Sequence, residues 1–90
     1  MLYKYLAHDN DNLAGEYMEA TDMRGIVFRH TDMRNAMCRG SDFSGADLSY
    51  ADMRDADLQD CDFADCDLRG TRFEGALLLG ARNLHRANRS

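Results

Sequence analysis

The chain has few cationic residues, only three cysteines, no tryptophan and no long apolar run. Each shortage removes a class of function. No stretch approaches the roughly 20 apolar residues of a membrane span, so none is expected. The start, MLYKYLAHDN, has neither the basic end nor the apolar stretch of a secretory signal. Eleven Lys and Arg against sixteen Asp and Glu leave a net charge of −5, which argues against direct nucleic-acid binding because phosphates must be met by cations. Cys38, Cys61 and Cys66 are an odd set without metal-type spacing, which fits reduced thiols in a cytoplasm. His8, His30 and His85 lie far apart, so no ligand cluster is expected and no cofactor is called for. There is no phosphate-binding Gly loop and no Ser/His/Asp set, so catalysis has no foothold.

What the chain does have is a period of five. Counting in fives from Leu13 gives Leu13, Met18, Met23, Phe28, Met33, Cys38, Phe43, Leu48, Met53, Leu58, Phe63, Leu68, Phe73 and Leu78. All seven glycines lie two residues after that phase, an arrangement with a chance probability of roughly 10⁻⁴. Asp dominates the position just before the large residue, and small residues such as Thr21, Ala36, Ser41, Ala51, Cys61 and Cys66 stand two before it.

A helix cannot use this pattern, because a step of five turns about 500° and scatters the large residues around the axis. An extended segment can. There the small and large residues share one face and the Asp between them points the other way. The chain must then turn within two residues, where Gly permits unusual backbone angles. Four such sides make a coil of twenty residues, and stacked coils lie about 4.8 Å apart.

The units ADLSY, ADMRD, ADLQD, CDFAD and CDLRG resemble the A(D/N)LXX units of the pentapeptide repeat family, strongly over residues 21–80 and weakly over 11–20. That resemblance implies an all-β fold, a right-handed quadrilateral parallel β-helix of about three to four coils. The expected organisation is a cap and irregular first half-coil over 1–20, three regular coils over 21–80, and a frayed end over 81–90. The expected core is Met23, Phe28, Met33, Cys38, Phe43, Leu48, Met53, Leu58, Phe63, Leu68, Phe73 and Leu78. LYKYL alternates like a strand and could cover the first coil, a need of all solenoids. Asp11 and Glu16 stand where a small residue belongs, and Asn83 and Asn88 stand where a large one belongs. The far end therefore calls for a partner or for more of the array.

The surface is zoned. Residues 1–20 carry −3, 21–40 carry +2, 41–70 carry −7 and 71–90 carry +3. Arg24, Arg29, Arg34 and Arg39 ring one coil, and Asp42, Asp47, Asp52 and Asp57 belt the next, so mutual ion pairing is expected. Tyr17, Met37 and Leu77 are expected on one side with Leu79 beside them, an apolar strip for a protein partner or a second copy. The end charges of −3 and +3 also allow solenoids to associate end to end.

Two functions fit. The first is a non-enzymatic interaction or structural module. The second follows from family members of the quinolone-resistance type, which imitate duplex DNA and bind DNA gyrase. Its candidate surface is Asp42, Asp47, Asp52, Asp55, Asp57, Asp60, Asp62, Asp65 and Asp67. Duplex DNA carries one charge per about 1.7 Å, so a stack of about 20 Å would need about twelve negatives. The acidic zone meets that density locally, and the whole chain does not.

Overall fold

After every large residue the backbone reverses. The N–H of the residue three further on returns to the large residue's carbonyl, as from Ile26 to Met23 at 3.3 Å and from Ala46 to Phe43 at 2.9 Å. The second turn residue has positive φ each time, for example 70° at Gly45 and 60° at Asp55, which is type II geometry. The computed structural model describes residues 12–86, and within that span these turns recur every five residues.

The three residues between turns are extended and pair across coils. Parallel bridges join residues twenty apart, from Asn12↔Asp32 to Asp62↔Arg82. In each pairing the large residue's N–H donates to a carbonyl nineteen residues on, as from Phe43 to Asp62 at 2.8 Å. The middle residue donates back to the previous coil, as from Asp42 to Thr21 at 3.0 Å. No strand longer than one bridge forms among the described residues, because two of every five are spent on a corner. The molecule measures 26 × 24 × 22 Å, so it is about as broad as it is tall.

Inside, the large residues fill the axis. Phe28, Met33, Cys38, Phe43, Leu48, Met53, Leu58 and Phe63 are fully sealed, and Met23 and Leu68 nearly so. Phe43 and Phe63 stack with ring centroids 5.5 Å apart and planes within 4°. Leu13 and Met18 extend the core below the residues expected of it. Phe73 and Leu78 do not reach the expected burial. Both are half-buried, because no described coil lies above them. The small inward positions hold hydroxyls and a thiol that donate 23 residues back to a corner carbonyl: Thr71 Oγ1 to Leu48 O at 2.8 Å, and Cys61 Sγ to Cys38 O at 2.9 Å. Those side chains thus have partners where an unpaired polar group would be costly.

The ends depart from the repeat differently. Asn12 and Tyr17 already carry bridges, to Asp32 and Met37, so among the described residues the paired geometry is present from Asn12 onward, ahead of residue 21. Glu16, in a small inward position, is exposed. At the other end Asn83 takes positive φ two residues early and donates from Nδ2 to Asp62 Oδ1 at 2.8 Å. A single 3₁₀ turn, Leu84–Arg86, replaces the next side. The LYKYL segment, His8, Asp11 and Asn88 lie outside the described residues.

Glycine fills only half of the described corners. Asn35, Asp55, Asp60 and Asp65 supply others, as do Ala20, His30 and Tyr50, all at φ between 50° and 61°. Asn and Asp tolerate this region, while other side chains lose about 1–2 kcal/mol there. Gly70 has a second constraint. The ring of Tyr50, one coil below, occupies the space a Cβ would need, whereas around Gly25 nothing lies within 4 Å. Gly25→Ala should therefore cost about 1–2 kcal/mol from the backbone alone. Gly70→Ala should cost more, because it also displaces Tyr50 from its stack on His30. Paired urea titrations check the order.

Candidate functional site

The Asp of each unit stands on the outer face, yet it is not simply solvated. Its Oδ1 accepts the N–H two residues on, at 2.9 Å from Ser44 to Asp42 and at 3.0 Å from Ser49 to Asp47. The same bond ties Asp52 to Arg54, Asp57 to Gln59, Asp62 to Ala64 and Asp67 to Arg69. This N–H belongs to the first turn residue, so the carboxylate caps the corner as an Asx turn does. Where Arg occupies that residue, its guanidinium folds back on the same carboxylate. Asp22–Arg24, Asp32–Arg34, Asp52–Arg54 and Asp67–Arg69 close at 2.6–2.7 Å.

These forks set the acidities. The Arg24 guanidinium and backbone N–H draw Asp22 from 3.8 to about 2. Asp32, Asp52 and Asp67 are lowered for the same first reason, the side-chain bond from Arg34, Arg54 and Arg69. For Asp57, partial burial raises the pKa, but the Gln59 bonds and Arg39 together lower it further.

The arginine ring and the aspartate belt meet as expected. Arg24 and Arg34 pair within their own sides, while Arg29 reaches Asp47 at 3.7 Å and Arg39 reaches Asp57 at 3.2 Å. Of the nine candidate acids, Asp42, Asp47, Asp52, Asp57, Asp62 and Asp67 are all engaged in turns or pairs. Asp55, Asp60 and Asp65 carry no side-chain bond among the described residues. They occupy three successive corners, so their charges ring one coil instead of lining one face.

The apolar strip is interrupted. Tyr17 is 78% exposed, Leu77 53% and Leu79 79%, while Met37 is half-buried. Bridges run Tyr17↔Met37, Met37↔Asp57 and Asp57↔Leu77, so Asp57 and its Arg39 partner stand in the column. Leu77 and Leu79 form one patch at the last coil, and Tyr17 with Met37 forms another near the first. A third exposed feature is the corner where His30 and Tyr50 stack, with centroids 5.1 Å apart and planes within 8°. Tyr50 there is 57% exposed.

No group of His, Cys, Asp and Glu suited to a metal occurs among the described residues. The three thiols are buried and unpaired to one another, and desolvation pushes Cys61 and Cys66 up to about 12 and Cys38 upward as well. No described helix is long and apolar enough to cross a membrane.

Corner, cap and twenty-residue ladder together are what a five-residue unit must build, and the family model for pentapeptide repeats matches residues 21–60 and 56–88 in eight copies. The chain belongs to the pentapeptide repeat family. Its fold resembles that of alr5209, a pentapeptide repeat protein from Nostoc PCC 7120, with a TM-score of 0.53 and 25% identity over 91% of this chain and 84% of that one. It also resembles QnrB1, a plasmid-mediated fluoroquinolone resistance protein, with a TM-score of 0.56 and 20% identity over 84% of this chain. The match spans 48% of QnrB1, about half its length, so that likeness is one of fold alone. No curated protein matches the chain. Pentapeptide repeat proteins are in general structural or interaction modules.

Proposed function

We propose that this pentapeptide repeat protein is a non-enzymatic interaction module, a right-handed four-sided solenoid of three to four coils that presents a patterned surface to a protein partner. The observation that carries this reading is the pair Leu77 and Leu79, large apolar side chains left more than half exposed on one side. In the same column Asp57 is engaged by Gln59 and Arg39, so the apolar pair is the feature there without a polar bond of its own among the described residues. Such a patch loses water-exposed area only when something covers it. Tyr17 and Met37 offer a smaller contact on the same side. A second copy could use the same patch or an end of the stack. The free thiols suit a reducing compartment, so a cytoplasmic setting belongs to the proposal.

Sedimentation and capture from source-cell extract test it. Leu77→Arg with Leu79→Arg should abolish self-association or partner capture while leaving the melting temperature within a few degrees, because exposed substitutions shift stability by only about 0.5 kcal/mol. Unchanged mass and unchanged capture would remove the patch from consideration.

DNA mimicry is the weaker reading. A phosphate-like track needs carboxylates free and aligned, and here the aligned ones cap turns and hold guanidiniums. Excess protein should leave gyrase supercoiling unchanged, at low salt as at high.

A further inference from the structure

We infer that the corner from Met18 to Thr21 is a two-state latch, held open by the Ser41 hydroxyl and able to close without disturbing the ladder. Among the described residues, every other large residue from Leu13 to Leu78 accepts, on its own carbonyl, the N–H three residues on. At Met18 that bond is missing. The Thr21 N–H donates instead to Ser41 Oγ at 3.1 Å, and the same hydroxyl donates to the Met18 carbonyl. One buried side chain from the next coil thus stands between the two ends of the corner. The bonds on either side are ordinary. Met18 donates to Met37 O at 2.7 Å, Ala20 to Arg39 O at 2.9 Å, and Thr21 O accepts from Asp42 at 3.0 Å. The departure is confined to one peptide.

The fold displays the closed alternative elsewhere. Ser41 occupies the small inward position 23 residues after Met18, as Thr71 does for Leu48 and Cys61 for Cys38. Thr71 and Cys61 also donate to the corner carbonyl, yet there the N–H groups of Ala51 and Ser41 keep their own bonds to it, at 3.0 Å each. A carbonyl has two lone pairs and takes both donors. Moving the Thr21 N–H from Ser41 Oγ to Met18 O trades one neutral acceptor for another and leaves the hydroxyl on its carbonyl. Neither arrangement therefore holds a large advantage. An open recess of about 280 Å³ lies at this corner, lined by Ala20, Thr21, Asp22, Arg24, Gly40 and Asp42. The peptide that moves on closing, Ala20 to Thr21, forms part of its wall. Ala20 and Gly40 each stand three residues after a member of the Tyr17 and Met37 contact. On the interaction-module reading, a partner covering that contact reaches the recess, and one that fits its open shape better draws the latch open.

The test uses the free, full chain and nuclear magnetic resonance. Scalar coupling across the hydrogen bond should be strong from the Ile26 N–H to the Met23 carbonyl and weaker from Thr21 to Met18. The Ala20 and Thr21 amides should show microsecond-to-millisecond exchange that the matching His30 and Thr31 amides lack. Ser41→Ala removes the wedge, and Ser41→Thr puts there the residue that leaves the Leu48 corner closed. In both variants the Thr21 to Met18 coupling should rise to that of Ile26 to Met23, and the exchange should vanish. The Thr21 proton should then pass to solvent about tenfold more slowly. A merely structural role for Ser41 gives the opposite sign, since deleting its two bonds would speed that loss. Full Thr21 to Met18 coupling in the parent, no exchange there, or unchanged or faster Thr21 proton loss in the variants overturns the latch. These readings need no partner, so they stand or fall apart from the module reading, which capture by Leu77→Arg with Leu79→Arg tests separately.

Discussion

Phe43→Ala is expected to lower the unfolding free energy by about 3–5 kcal/mol, and Phe73→Ala by only about 1–2 kcal/mol. The two residues share one phase of the same repeat, thirty positions apart, so any difference comes from place in the stack. Phe43 is sealed and rests on Phe63 at 5.5 Å, and its removal leaves a cavity walled by coils that bridges hold at a fixed spacing. Phe73 has a coil below and none described above, so water already reaches it and less is lost. Urea unfolding of the two variants beside the parent measures the contrast. Equal losses would mean that burial does not grade along the axis as the ladder requires.

Acid should unfold the protein through its outer face, not its core. Asp22, Asp32, Asp52 and Asp67 are held below the ordinary carboxylate range by their Arg partners, Asp22 at about 2. A carboxylate whose folded pKa lies below its unfolded value contributes stability above the unfolded value, and loses it as pH falls through the folded one. The melting temperature should therefore be flat above about pH 5 and fall progressively between about pH 4 and pH 2. Replacing Arg24, Arg34, Arg54 and Arg69 by Gln keeps the turn caps but removes the forks. That variant should lose less stability across the same range. Exposed ion pairs contribute little each, so the effect lies in the sum and should shrink in salt. A parent protein as stable at pH 2 as at pH 7 would show that the forks contribute nothing.

The architecture was legible because its physics is local and repeated. A large residue every fifth position with a small one two before it leaves one workable backbone, and adding twenty finds the neighbour above. Met53 over Met33 and Phe63 over Phe43 follow from that arithmetic alone. The same arithmetic places Asp57 between Met37 and Leu77, so the break in the apolar strip was also within reach of the sequence. Other features were less accessible. Asp reads as a solvated outward residue until the turn is built and its Oδ1 is found on the N–H two residues on. The signal was present, since Asp two residues before a turn's first corner residue is a known capping arrangement. Corners at Asn35, Asp55, Asp60 and Asp65 follow from side chains that tolerate positive φ, but Ala20, His30 and Tyr50 take it only because the ladder on both sides holds them there. The early break at Asn83 is a tertiary effect. Its amide prefers the Asp62 carboxylate to a place on the axis, which no periodicity reveals.

The most direct measurement is the pattern of short proton–proton contacts in solution by nuclear Overhauser spectroscopy. The ladder predicts contacts between the backbones of residues twenty apart, along columns such as Asp22, Asp42 and Asp62, with amide N–H groups of Phe43 and Leu48 slow to exchange. A spectrum dominated by contacts three and four residues apart, with none at twenty, would contradict it.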